Sequence, residues 1–500
     1  MAQIVVNGKV YTKKPGSCLG DVLSDCGVMA MPCGKHGKCG KCRVVAQGAL
    51  SPLSATEENL LSEEDIAQGV RLACCTYVLG DCVITFEEKR EEQICTQGVM
   101  PSFAVMPMFS KYGVAIDIGT TTLAARLYAA DGNLLSEDSC VNPQSAFGAD
   151  VISRVEAALS GKEKELSQAI VKALDGIFLS LAEKAGVKAF EIDGVVLTGN
   201  TAMLYLLTQT SVLPLSRAPF TMDYAFGETR TAESFGFCAL TPKTRVYIPP
   251  CLAAFVGADT VTAILASELC TQNATRLIVD IGTNGEMALW HRDYLWVCST
   301  AAGPAFEGVG ISMGMAGTAG AVDQVKIVNG ALCAHAIGEK APVGICGSGI
   351  VDAVACLLDT EALDVSGYLE DETAIISSPV VLTQKDIRMV QLAKSAICAG
   401  LQTLLHEAGV SFDEVKDLLV AGGFGSYLHI KNACRIGLLP TELSEKVCVV
   451  GNAALMGASM LLLNQAFESD VKEMQNKTKV VELATNAFFM DAYIENMSFE

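Results

Sequence analysis

Three cysteines lie close together in residues 33–43, where the sequence reads CGKHGKCGKCR and a glycine flanks almost every sulfur. The spacing is C-x5-C-x2-C, and the segment RLACC supplies a fourth cysteine downstream. Three sulfurs that converge on one small cluster require a tightly folded backbone, and glycine allows the positive φ angles that such a loop needs. Thiolates are the usual ligands of an iron–sulfur cluster. The pattern therefore predicts a cluster that is held by four residues: Cys33, Cys39, Cys42 and Cys74.

The type of cluster is indicated by the spacing. Plant-type ferredoxins hold a [2Fe–2S] cluster with the spacing C-x4-C-x2-C. The spacing here differs from it in the first gap, which is one residue longer, and we predict a [2Fe–2S] cluster. A zinc site is one alternative, although structural zinc usually takes two short cysteine or histidine pairs. A disulfide framework is another, but the N-terminal MAQIVVNGKV has no apolar signal-peptide core. Ordinary buried thiols would suit most of the 20 cysteines, but not the three with glycine neighbours.

Two adjacent cysteines, Cys74 and Cys75, compete for the fourth ligand position. The surrounding RLACCTYV reads as a strand, and successive strand residues point to opposite faces of a sheet. One sulfur would therefore face the iron and the other would face away from it. We choose Cys74 as the ligand.

The charge of the chain excludes one class of partner. The 500 residues carry 36 basic and 56 acidic side chains, which gives a net charge of −20. Nucleic-acid-binding proteins are usually basic, so we expect no nucleic-acid partner. Residues 447–467 contain no charged side chain and would be long enough to span a membrane. Gly451 and Asn452 interrupt this stretch, so a buried strand, a turn and a core helix explain it better. We expect a cytoplasmic protein without a membrane partner.

Residues 1–95 read as a small domain of their own. IVVNGKVY alternates like a β-hairpin with Asn7-Gly8 at its turn, and a short helix, the cysteine loop, an acidic helical stretch and further strands follow. This order predicts a ferredoxin-like β-grasp fold. Residues 96–111 contain two prolines and one charged residue, so we expect an extended connector that docks on a surface. The remaining chain divides into two halves, residues 112–270 and 271–500.

The two halves share one short pattern, AIDIGTTT at 115–122 and VDIGTNGE at 279–286. Each reads as a strand with an aspartate near its end, followed by a glycine turn. Such an aspartate can hold Mg²⁺ through water, and glycine lets the backbone approach phosphate oxygens. Asp117 and Asp280 are therefore candidate catalytic carboxylates, with Glu286 as a weaker candidate. The candidate phosphate-binding residues are Gly119, Thr120, Thr121, Thr122, Gly282, Thr283, Asn284 and Gly285.

A third loop, LLVAGGFGSYL, places Gly422, Gly423 and Gly425 after an apolar strand, where an adenosine could lie against the backbone. Two Gly-Asn turns, at Gly199 and Gly451, look related to each other. One D-x-G-T turn alone would suit an ordinary β-hairpin. Two copies, with these loops in this order, predict two related halves that clamp a nucleotide, with ATP and Mg²⁺ as cofactors.

The order of phosphate loop, connector, second phosphate loop, adenosine loop and second connector resembles the actin, sugar kinase and heat-shock ATPase superfamily. Four further segments narrow the resemblance: NPQSAFGADVISRV at 142–155, IPPCLAAFVGADTVTA at 248–263, STAAGPAFEGVGISMGM at 299–315 and GICGSGIVDAVA at 344–355. Together with the N-terminal cysteines, they resemble the ATP-dependent reductive activators of corrinoid proteins. The resemblance covers nearly the whole chain. It implies a multidomain α/β and α+β fold, in which a [2Fe–2S] β-grasp domain precedes a duplicated actin-like (ribonuclease H-like) ATPase domain.

The resemblance also implies a reaction. The cluster would pass a low-potential electron to cobalt(II) of a corrinoid protein and regenerate cobalt(I) for methyl transfer, with ATP driving the step. The implied partners are a corrinoid protein of a methyltransferase or demethylase system and a low-potential electron donor, such as a ferredoxin or flavoprotein. The basic residues around the sulfurs could dock an acidic donor: Lys35, Lys38, Lys41 and Arg43. The oligomeric state is open, with a homodimer as one alternative.

Three other functions stay open on sequence alone. A small-molecule kinase would use the same nucleotide fold, but it would give no reason for a ferredoxin domain. An activator of another low-potential metalloenzyme, such as a radical dehydratase, would share one [4Fe–4S] cluster between two subunits. A redox-sensing or chaperone-like binding protein is the non-enzymatic alternative. ATP turnover that depends on a corrinoid partner would separate the first interpretation from these three.

Overall fold

The structure is a computed structural model, and it describes residues 1–25, 42–86, 98–271 and 273–499. The chain divides into two compact units. One consists of Met1–Glu91 with Val141–Ile170, and the other of Glu92–Cys140 with Val171–Glu500. The first unit contains the N-terminal sheet, and the second contains the two large sheets.

The N-terminal domain is built on a five-stranded sheet. Its elements are β1 (Ala2–Val6), β2 (Lys9–Lys13), α1 (Leu19–Asp25), β3 (Arg43–Leu50), α2 (Ala55–Leu60), α3 (Glu63–Ala67), β4 (Val70–Leu72) and β5 (Val78–Thr85). The strand order is β2-β1-β5-β3-β4, and β1 and β5 are parallel. The turn residues Asn7 and Gly8 have φ angles of 45° and 83°, as a two-residue hairpin turn requires. The predicted ferredoxin-like β-grasp is confirmed.

The strand that we predicted around RLACC ends earlier than expected. β4 ends at Leu72, and Cys74 and Cys75 lie in the turn before β5. The N–H of Cys75 donates to the carbonyl of Leu72 at 2.8 Å, which closes this turn. The prediction that the two cysteines point to opposite faces of a strand is therefore wrong. Both lie in a turn, and their Sγ atoms are 3.6 Å apart.

The chain after the connector, called the larger fold below, consists of two halves. The first half contains a six-stranded sheet. Its elements are β6 (Tyr112–Ile118), β7 (Thr122–Ala129), β8 (Leu134–Val141), α4 (Val151–Ala157), α5 (Glu163–Ala185), β9 (Ile192–Gly199), α6 (Thr201–Thr208), β10 (Glu228–Thr231), α7 (Ala232–Phe235), β11 (Arg245–Ile248) and α8 (Ala258–Ala266). The strand order is β10-β11-β9-β6-β7-β8. β6 and β7 form a hairpin, and β9 and β11 add in parallel on the other side of β6.

The second half contains another six-stranded sheet and an insertion with two small sheets. Its elements are β12 (Thr275–Ile281), β13 (Gly285–His291), β14 (Tyr294–Thr300), β15 (Ala321–Val328), β16 (Ala331–Ala336), β17 (Gly344–Ile345), α9 (Gly347–Asp359), β18 (Thr373–Ser377), β19 (Val380–Thr383), α10 (Gln384–Ala408), β20 (Val415–Ala421), α11 (Ile430–Arg435), β21 (Val447–Gly451), α12 (Ala453–Leu463), α13 (Phe467–Lys477), β22 (Thr478–Val480) and α14 (Ala487–Glu495). The strand order of the large sheet is β21-β20-β12-β13-β14-β22.

The two large sheets share one topology. Each begins with an antiparallel meander, β6–β7–β8 in one half and β12–β13–β14 in the other. Two later strands then add in parallel beside the first strand of the meander: β9 and β11, or β20 and β21. The predicted duplicated actin-like fold is confirmed.

The two Gly-Asn turns nevertheless occupy different places in the two halves. Gly199 ends β9, whose counterpart is β20, whereas Gly451 ends β21, whose counterpart is β11. Our prediction that the turns are related is therefore wrong. Asparagine is a favourable N-cap wherever a helix starts, and this explains the repeated dipeptide. The counterpart of the turn at Gly451 is the loop that ends at Gly257, before α8.

The helix α12 accounts for the long uncharged stretch of the sequence. All its residues are buried, in a core that contains residues from both large sheets and from α8. A Cβ atom on Gly457 would lie 1.8 Å from the carbonyl oxygen of Thr262, so α8 and α12 pack at a distance that only glycine allows. Among the residues that the structure describes, no helix is long and apolar enough to cross a membrane.

The connector is extended over its described part, residues 98–111. The N–H of Val99 donates to Val450 at 3.1 Å, and that of Met106 donates to Leu463 at 2.8 Å. The side chain of Asn464 donates to the carbonyl of Ala104 at 2.9 Å. The surface on which the connector docks is therefore formed by β21 and the C-terminal end of α12. Residues 96 and 97 lie outside the described residues.

Candidate functional site

Four carboxylates approach one another near the strand ends of the two large sheets. Asp117 is the penultimate residue of β6, and Asp280 is the penultimate residue of β12. Glu286 lies directly across from Asp280 in the pairing of β12 with β13. Asp259 is the second residue of α8 and accepts a hydrogen bond from the N–H of Thr260 at 2.7 Å. The site therefore combines residues from both halves of the duplicated fold.

The carboxylates perturb one another electrostatically. Burial raises the pKa of Asp117 to about 8, with the charges of Asp259 and Asp280 adding to the effect. Burial, together with Asp259 and Glu307, raises the pKa of Asp280 to about 7. The pKa of Glu286 is raised well above its ordinary value by burial and then by Asp259 and Asp280. All the charged groups that cause these shifts are themselves carboxylates.

These oxygen donors suit a divalent cation chemically, but among the residues that the structure describes no three of them lie close enough together to bind one ion directly, so a cation here would be held partly through water. Carboxylate oxygens are the protein ligands that Mg²⁺ prefers, and a cation would relieve the repulsion that raises the pKa values. Each of the four residues keeps some exposed surface, although its carboxyl group is buried enough for burial to raise its pKa. Mg²⁺ at Asp117, Asp280 and Glu286 therefore stays a prediction, and Asp259 is a further candidate because its charge acts on all three.

The two glycine turns beside the carboxylates are tight hairpin turns. The N–H of Gly119 donates to Thr122 at 2.9 Å, and the N–H of Gly282 donates to Asn284 at 3.0 Å. A Cβ atom on Gly119 would lie 2.7 Å from the carbonyl oxygen of Thr122, whereas a Cβ atom on Gly282 would be 3.6 Å from its nearest neighbour. Contacts within the protein therefore require glycine at position 119, but they leave room for a side chain at position 282.

A fifth carboxylate joins the two turns. Glu307 accepts a hydrogen bond from the hydroxyl of Thr121 at 3.0 Å. The hydroxyl of Thr283 lies 3.0 Å from each of the two carboxylate oxygens of Glu307. Both threonines were predicted to bind phosphate, and in the structure they converge on one anionic group.

The predicted adenosine loop lies next to the acidic cluster. Gly422 has a φ angle of 91°, and a Cβ atom on it would lie 2.6 Å from Oδ1 of Asp280. Its N–H donates to the carbonyl of Gly451 at 3.1 Å. Asn452 follows, and its side chain donates to Oδ2 of Asp117 at 3.4 Å. The loop and the second Gly-Asn turn thus lie directly beside both candidate catalytic aspartates.

The structure brings most of the predicted nucleotide residues to one place. These are Asp117, Gly119, Thr120, Thr121, Thr122, Asp280, Gly282, Thr283, Asn284, Gly285, Glu286 and Gly422. Gly423 and Gly425 continue the adenosine loop, and Gly425 packs against Val420. Sequence reasoning missed Asp259, Glu307 and the asparagines Asn200 and Asn452. Asp259 and Glu307 lie in segments that we had singled out, but no local pattern marked the residues themselves. The two asparagines belong to the Gly-Asn turns, and the side chain of Asn200 donates to the hydroxyl of Thr120 at 3.1 Å.

The cysteine site is described in part. The Sγ atoms of Cys42 and Cys74 lie 3.3 Å apart, and the N–H of Cys74 donates to Sγ of Cys42 at 3.5 Å. Two thiolates at this separation can bind the same iron, and an N–H directed at sulfur is one factor that sets a cluster's potential. The pair therefore fits an iron–sulfur cluster. Cys33 and Cys39 lie outside the described residues.

The turn that carries Cys74 is anchored by a buried glutamate in α2. Oε1 of Glu57 accepts from Nε of Arg71 at 2.8 Å, from the N–H of Leu72 at 3.1 Å and from the hydroxyl of Thr76 at 3.0 Å. Glu57 is fully buried, and burial opposes its ionisation, but the bonds from Arg71, Ser54 and Leu72 together hold its pKa at about 2. The residues on both sides of Cys74 are thus tied to one carboxylate.

We expect Glu57→Gln to lower the free energy of unfolding of the N-terminal domain by about 3 kcal/mol at pH 7. The folded-state pKa of Glu57 lies below the unfolded value of 4.5, so its stabilisation is present above pH 4.5 and is lost as the pH falls toward about 2. Denaturant unfolding, followed by the visible absorbance of the cluster, measures the difference. Glu58→Gln, an exposed change in the same helix, is the matched control. Equal loss of stability in both variants would contradict the anchor.

Of the four basic residues proposed to dock an electron donor, the structure describes only Arg43. Arg43 forms an ion pair with Asp65, with Nη1 and Oδ2 2.9 Å apart. Its charge is therefore partly compensated within the domain. Lys35, Lys38 and Lys41 lie outside the described residues.

Comparisons with known proteins agree along the whole chain. Residues 4–79 match the family described as 2Fe-2S iron-sulfur cluster binding domain. Residues 112–272 match the RACo middle region, and residues 274–500 match the C-terminal domain of RACo, the ASKHA domain. The solved structure of a "Reductive activator for corrinoid,iron-sulfur protein" superposes with a TM-score of 0.71 at 27% identity, covering 100% of this chain and 98% of that chain.

Two curated relatives extend these matches. The "Corrinoid activation enzyme RamQ" of Eubacterium limosum is 35% identical over 432 residues, which are 78% of this chain and 70% of the relative. The "[Co(II) methylated amine-specific corrinoid protein] reductase" of Methanosarcina barkeri is 26% identical over 423 residues, which are 78% of this chain and 77% of the relative. The chain therefore belongs to the RACo family of reductive activators of corrinoid proteins, enzymes that join an iron–sulfur domain to an actin-like ATPase domain.

Proposed function

We propose that this chain reduces cobalt(II) of a corrinoid protein to cobalt(I), with an electron that passes through its iron–sulfur domain and with ATP driving the step. The observation that carries the proposal is the acidic cluster between two threonine-bearing turns, in the same polypeptide as the Cys42–Cys74 pair. The names of two relatives support the substrate class, since one is a corrinoid activation enzyme and the other acts on a Co(II) corrinoid protein.

The N-terminal domain would hold the electron carrier. Its proposed ligands are Cys33, Cys39, Cys42 and Cys74, and the proposed boundaries of the domain are residues 1 and 95. A bound [2Fe–2S] cluster supplies one-electron chemistry at low potential. Glu57 keeps the Cys74 turn in place, and the N–H of Cys74 points at the sulfur of Cys42. The proposed donor is a ferredoxin or flavoprotein.

The larger fold would bind the nucleotide between its halves, residues 112–270 and 271–500. Asp117, Asp259, Asp280 and Glu286 would hold Mg²⁺ partly through bound water, and the ion neutralises phosphate charge when bound. The hydroxyls of Thr121 and Thr283 would bind phosphate oxygens. The backbone at Gly422 would lie against the adenosine, since its positive φ and lack of a side chain leave room there.

ATP is needed for an energetic reason. A [2Fe–2S] cluster of the plant type has a potential near −400 mV, and cobalt(I) is a stronger reductant, so the transfer is uphill. For one electron, each ~59 mV corresponds to a factor of ten, or ~1.4 kcal/mol. A gap of a few such steps is overcome if ATP stabilises the complex that favours cobalt(I).

The contacts within the second unit suggest how the nucleotide site reaches the connector. Asn452 donates to Asp117 and also caps α12, through the N–H of Leu455 at 2.9 Å. A Cβ atom on Gly98 of the connector would lie 2.9 Å from the carbonyl oxygen of Asn452. One residue therefore contacts both an aspartate that is proposed to bind Mg²⁺ and the segment that leads to the N-terminal domain.

The deciding experiment is anaerobic. Purified holoprotein, a chemical reductant and a cobalt(II) corrinoid protein are combined with or without MgATP, and the cobalt(I) spectrum is recorded. We expect cobalt(I) to accumulate only when this protein and ATP are both present. Equal accumulation without the protein would refute the function. ATP turnover that is unaffected by the corrinoid protein would instead favour a small-molecule kinase.

A further inference from the structure

Glu307 links the two turns that are predicted to bind phosphate. Its carboxylate accepts from Thr121 of the first hairpin turn and from Thr283 of the second, each at 3.0 Å. A threonine hydroxyl carries one proton and can donate only one hydrogen bond. The bonds to Glu307 and bonds to a phosphate oxygen therefore exclude each other at both threonines.

The position of Glu307 indicates which phosphate of the nucleotide it would compete with, namely the terminal one. Its charge contributes to the raised pKa of Asp280, so it lies close to the proposed Mg²⁺ ligands. In phosphoryl-transfer sites the metal bridges oxygens of the β- and γ-phosphates. Hydroxyl groups beside such a metal would meet the outer end of a triphosphate. A carboxylate that holds both hydroxyls occupies the same hydrogen-bonding positions.

The turn that carries Glu307 also contacts the adenosine loop. The ring of Phe306 stacks on the ring of Phe424 with centroids 5.2 Å apart and planes inclined by 16°. A Cβ atom on Gly347, at the start of α9, would lie 1.9 Å from the carbonyl oxygen of Phe306. Residues 306 and 307 are thus packed against both phosphate turns, the adenosine loop and α9.

The other side of the same turn leads to the insertion of the second half. Gly308 has a φ angle of 73°, and a Cβ atom on it would lie 2.6 Å from the backbone nitrogen of Met315. Four residues further on, the N–H of Ser312 donates to Asp386 at 2.7 Å, and Asp386 lies in the first turn of α10, where it completes the capping box with the N-cap residue Thr383. A displacement of Glu307 would therefore be transmitted to α10 through a closely packed loop.

We propose that Glu307 is a latch which the terminal phosphate of a nucleoside triphosphate displaces, so that the enzyme distinguishes ATP from ADP. The inference rests on the proposed function, because it requires nucleotide binding between the two turns. ATP binding would break the bonds from Thr121 and Thr283 to Glu307 and would free the turn at 304–308. ADP, which lacks the terminal phosphate, would leave these bonds in place.

The test separates the latch from simple charge repulsion. In Glu307→Asp the carboxylate is kept, but it is drawn back by one carbon–carbon bond of about 1.5 Å, so it cannot bond both turns. In Glu307→Gln the length is kept and the charge is removed. Calorimetry measures the Kd values of Mg²⁺ with ADP and of Mg²⁺ with a non-hydrolysable ATP analogue, on anaerobic holoprotein. Glu233→Gln, an exposed change in α7, is the control.

We expect both Glu307 variants to bind the ATP analogue about tenfold more tightly than the unchanged protein, a gain of about 1.4 kcal/mol. Their affinity for ADP, and both affinities of Glu233→Gln, should change less than about threefold. Weaker binding of the ATP analogue by Glu307→Asp would show that the carboxylate assists binding, and this would overturn the latch. Unchanged binding by Glu307→Asp, or an equal gain for both nucleotides, would overturn it too.

The outcomes also separate this inference from the proposed function. If the unchanged protein binds the ATP analogue but the variants show no selective gain, the latch fails and the proposed function stands. If the unchanged protein binds neither nucleotide, both fail. Thermal unfolding and the visible absorbance of the cluster show whether each variant is folded and loaded.

Discussion

Cys74→Ser is expected to abolish the iron–sulfur cluster and, with it, the formation of cobalt(I). Cys74 lies 3.3 Å from Cys42, and both sulfurs would be cluster ligands. Changes in residues that only surround a metal site already cost 10–100-fold in affinity, so the loss of a thiolate ligand should exceed about 100-fold. The visible absorbance of the anaerobically purified protein and its iron content measure the effect. Cys42→Ser should behave in the same way.

Two matched variants make this result interpretable. Cys75→Ser should keep the cluster, although the Sγ atoms of Cys74 and Cys75 are only 3.6 Å apart. Cys238→Ser removes an exposed thiol from the larger fold and should also have no effect. Nucleotide binding by Cys74→Ser should remain, because the larger fold has its own core. If Cys75→Ser loses the cluster while Cys74→Ser keeps it, the choice of the fourth ligand is wrong.

Asp280→Asn is expected to lower Mg²⁺-dependent ATP hydrolysis by about 10²–10³-fold, the usual cost of removing one preorganised electrostatic group from an active site. Asp280 is the carboxylate that faces Glu286 across the hairpin, acts on Asp117 and touches Gly422 of the adenosine loop. Its loss would weaken the binding of Mg²⁺, and thereby the neutralisation of phosphate charge. Steady-state phosphate release over a range of Mg²⁺ concentrations measures the change.

The stability of the same variant distinguishes a functional from a structural role. Burial, and then the neighbouring carboxylates of Asp259 and Glu307, raise the pKa of Asp280 to about 7, so the group is ionised at pH 8 at an energetic cost. Asp280→Asn removes this repulsion, and its thermal midpoint without Mg²⁺ should equal or exceed that of the unchanged protein. Asp371→Asn, an exposed change in the insertion, should alter neither hydrolysis nor stability. A large fall in the midpoint of Asp280→Asn, with hydrolysis intact, would contradict the assignment.

Local sequence patterns were sufficient to identify those candidate site residues that lie within one short hairpin. A hairpin with an aspartate before a glycine turn is encoded within eight residues, so Asp117 and Asp280 could be recognised in both halves. Glu286 was found because it belongs to the same hairpin. The β-hairpin at Asn7-Gly8 and the buried helix α12 were predicted correctly for the same reason.

Errors arose where a pattern had more than one structural meaning. The two Gly-Asn dipeptides were taken as related turns, yet each only reflects the preference of asparagine for a helix N-terminus. The correct counterpart of the second turn is the loop before α8, and Asp259 lies in the first turn of that helix. The adjacent cysteines were read as strand residues, but the chain leaves the sheet after Leu72 and forms a turn.

The sequence by itself determined the kinds of chemistry in this protein: thiolates in a glycine-rich loop, and paired aspartate turns in a duplicated fold. Only the tertiary structure decided which side chains share one site. Asp259 and Glu307 have no distinctive local pattern, and they gain their roles because the fold packs them against Asp117, Asp280 and two threonines from distant segments. Their pKa shifts and hydrogen bonds depend on burial and on long-range neighbours, which are properties of the packed chain and not of any short segment.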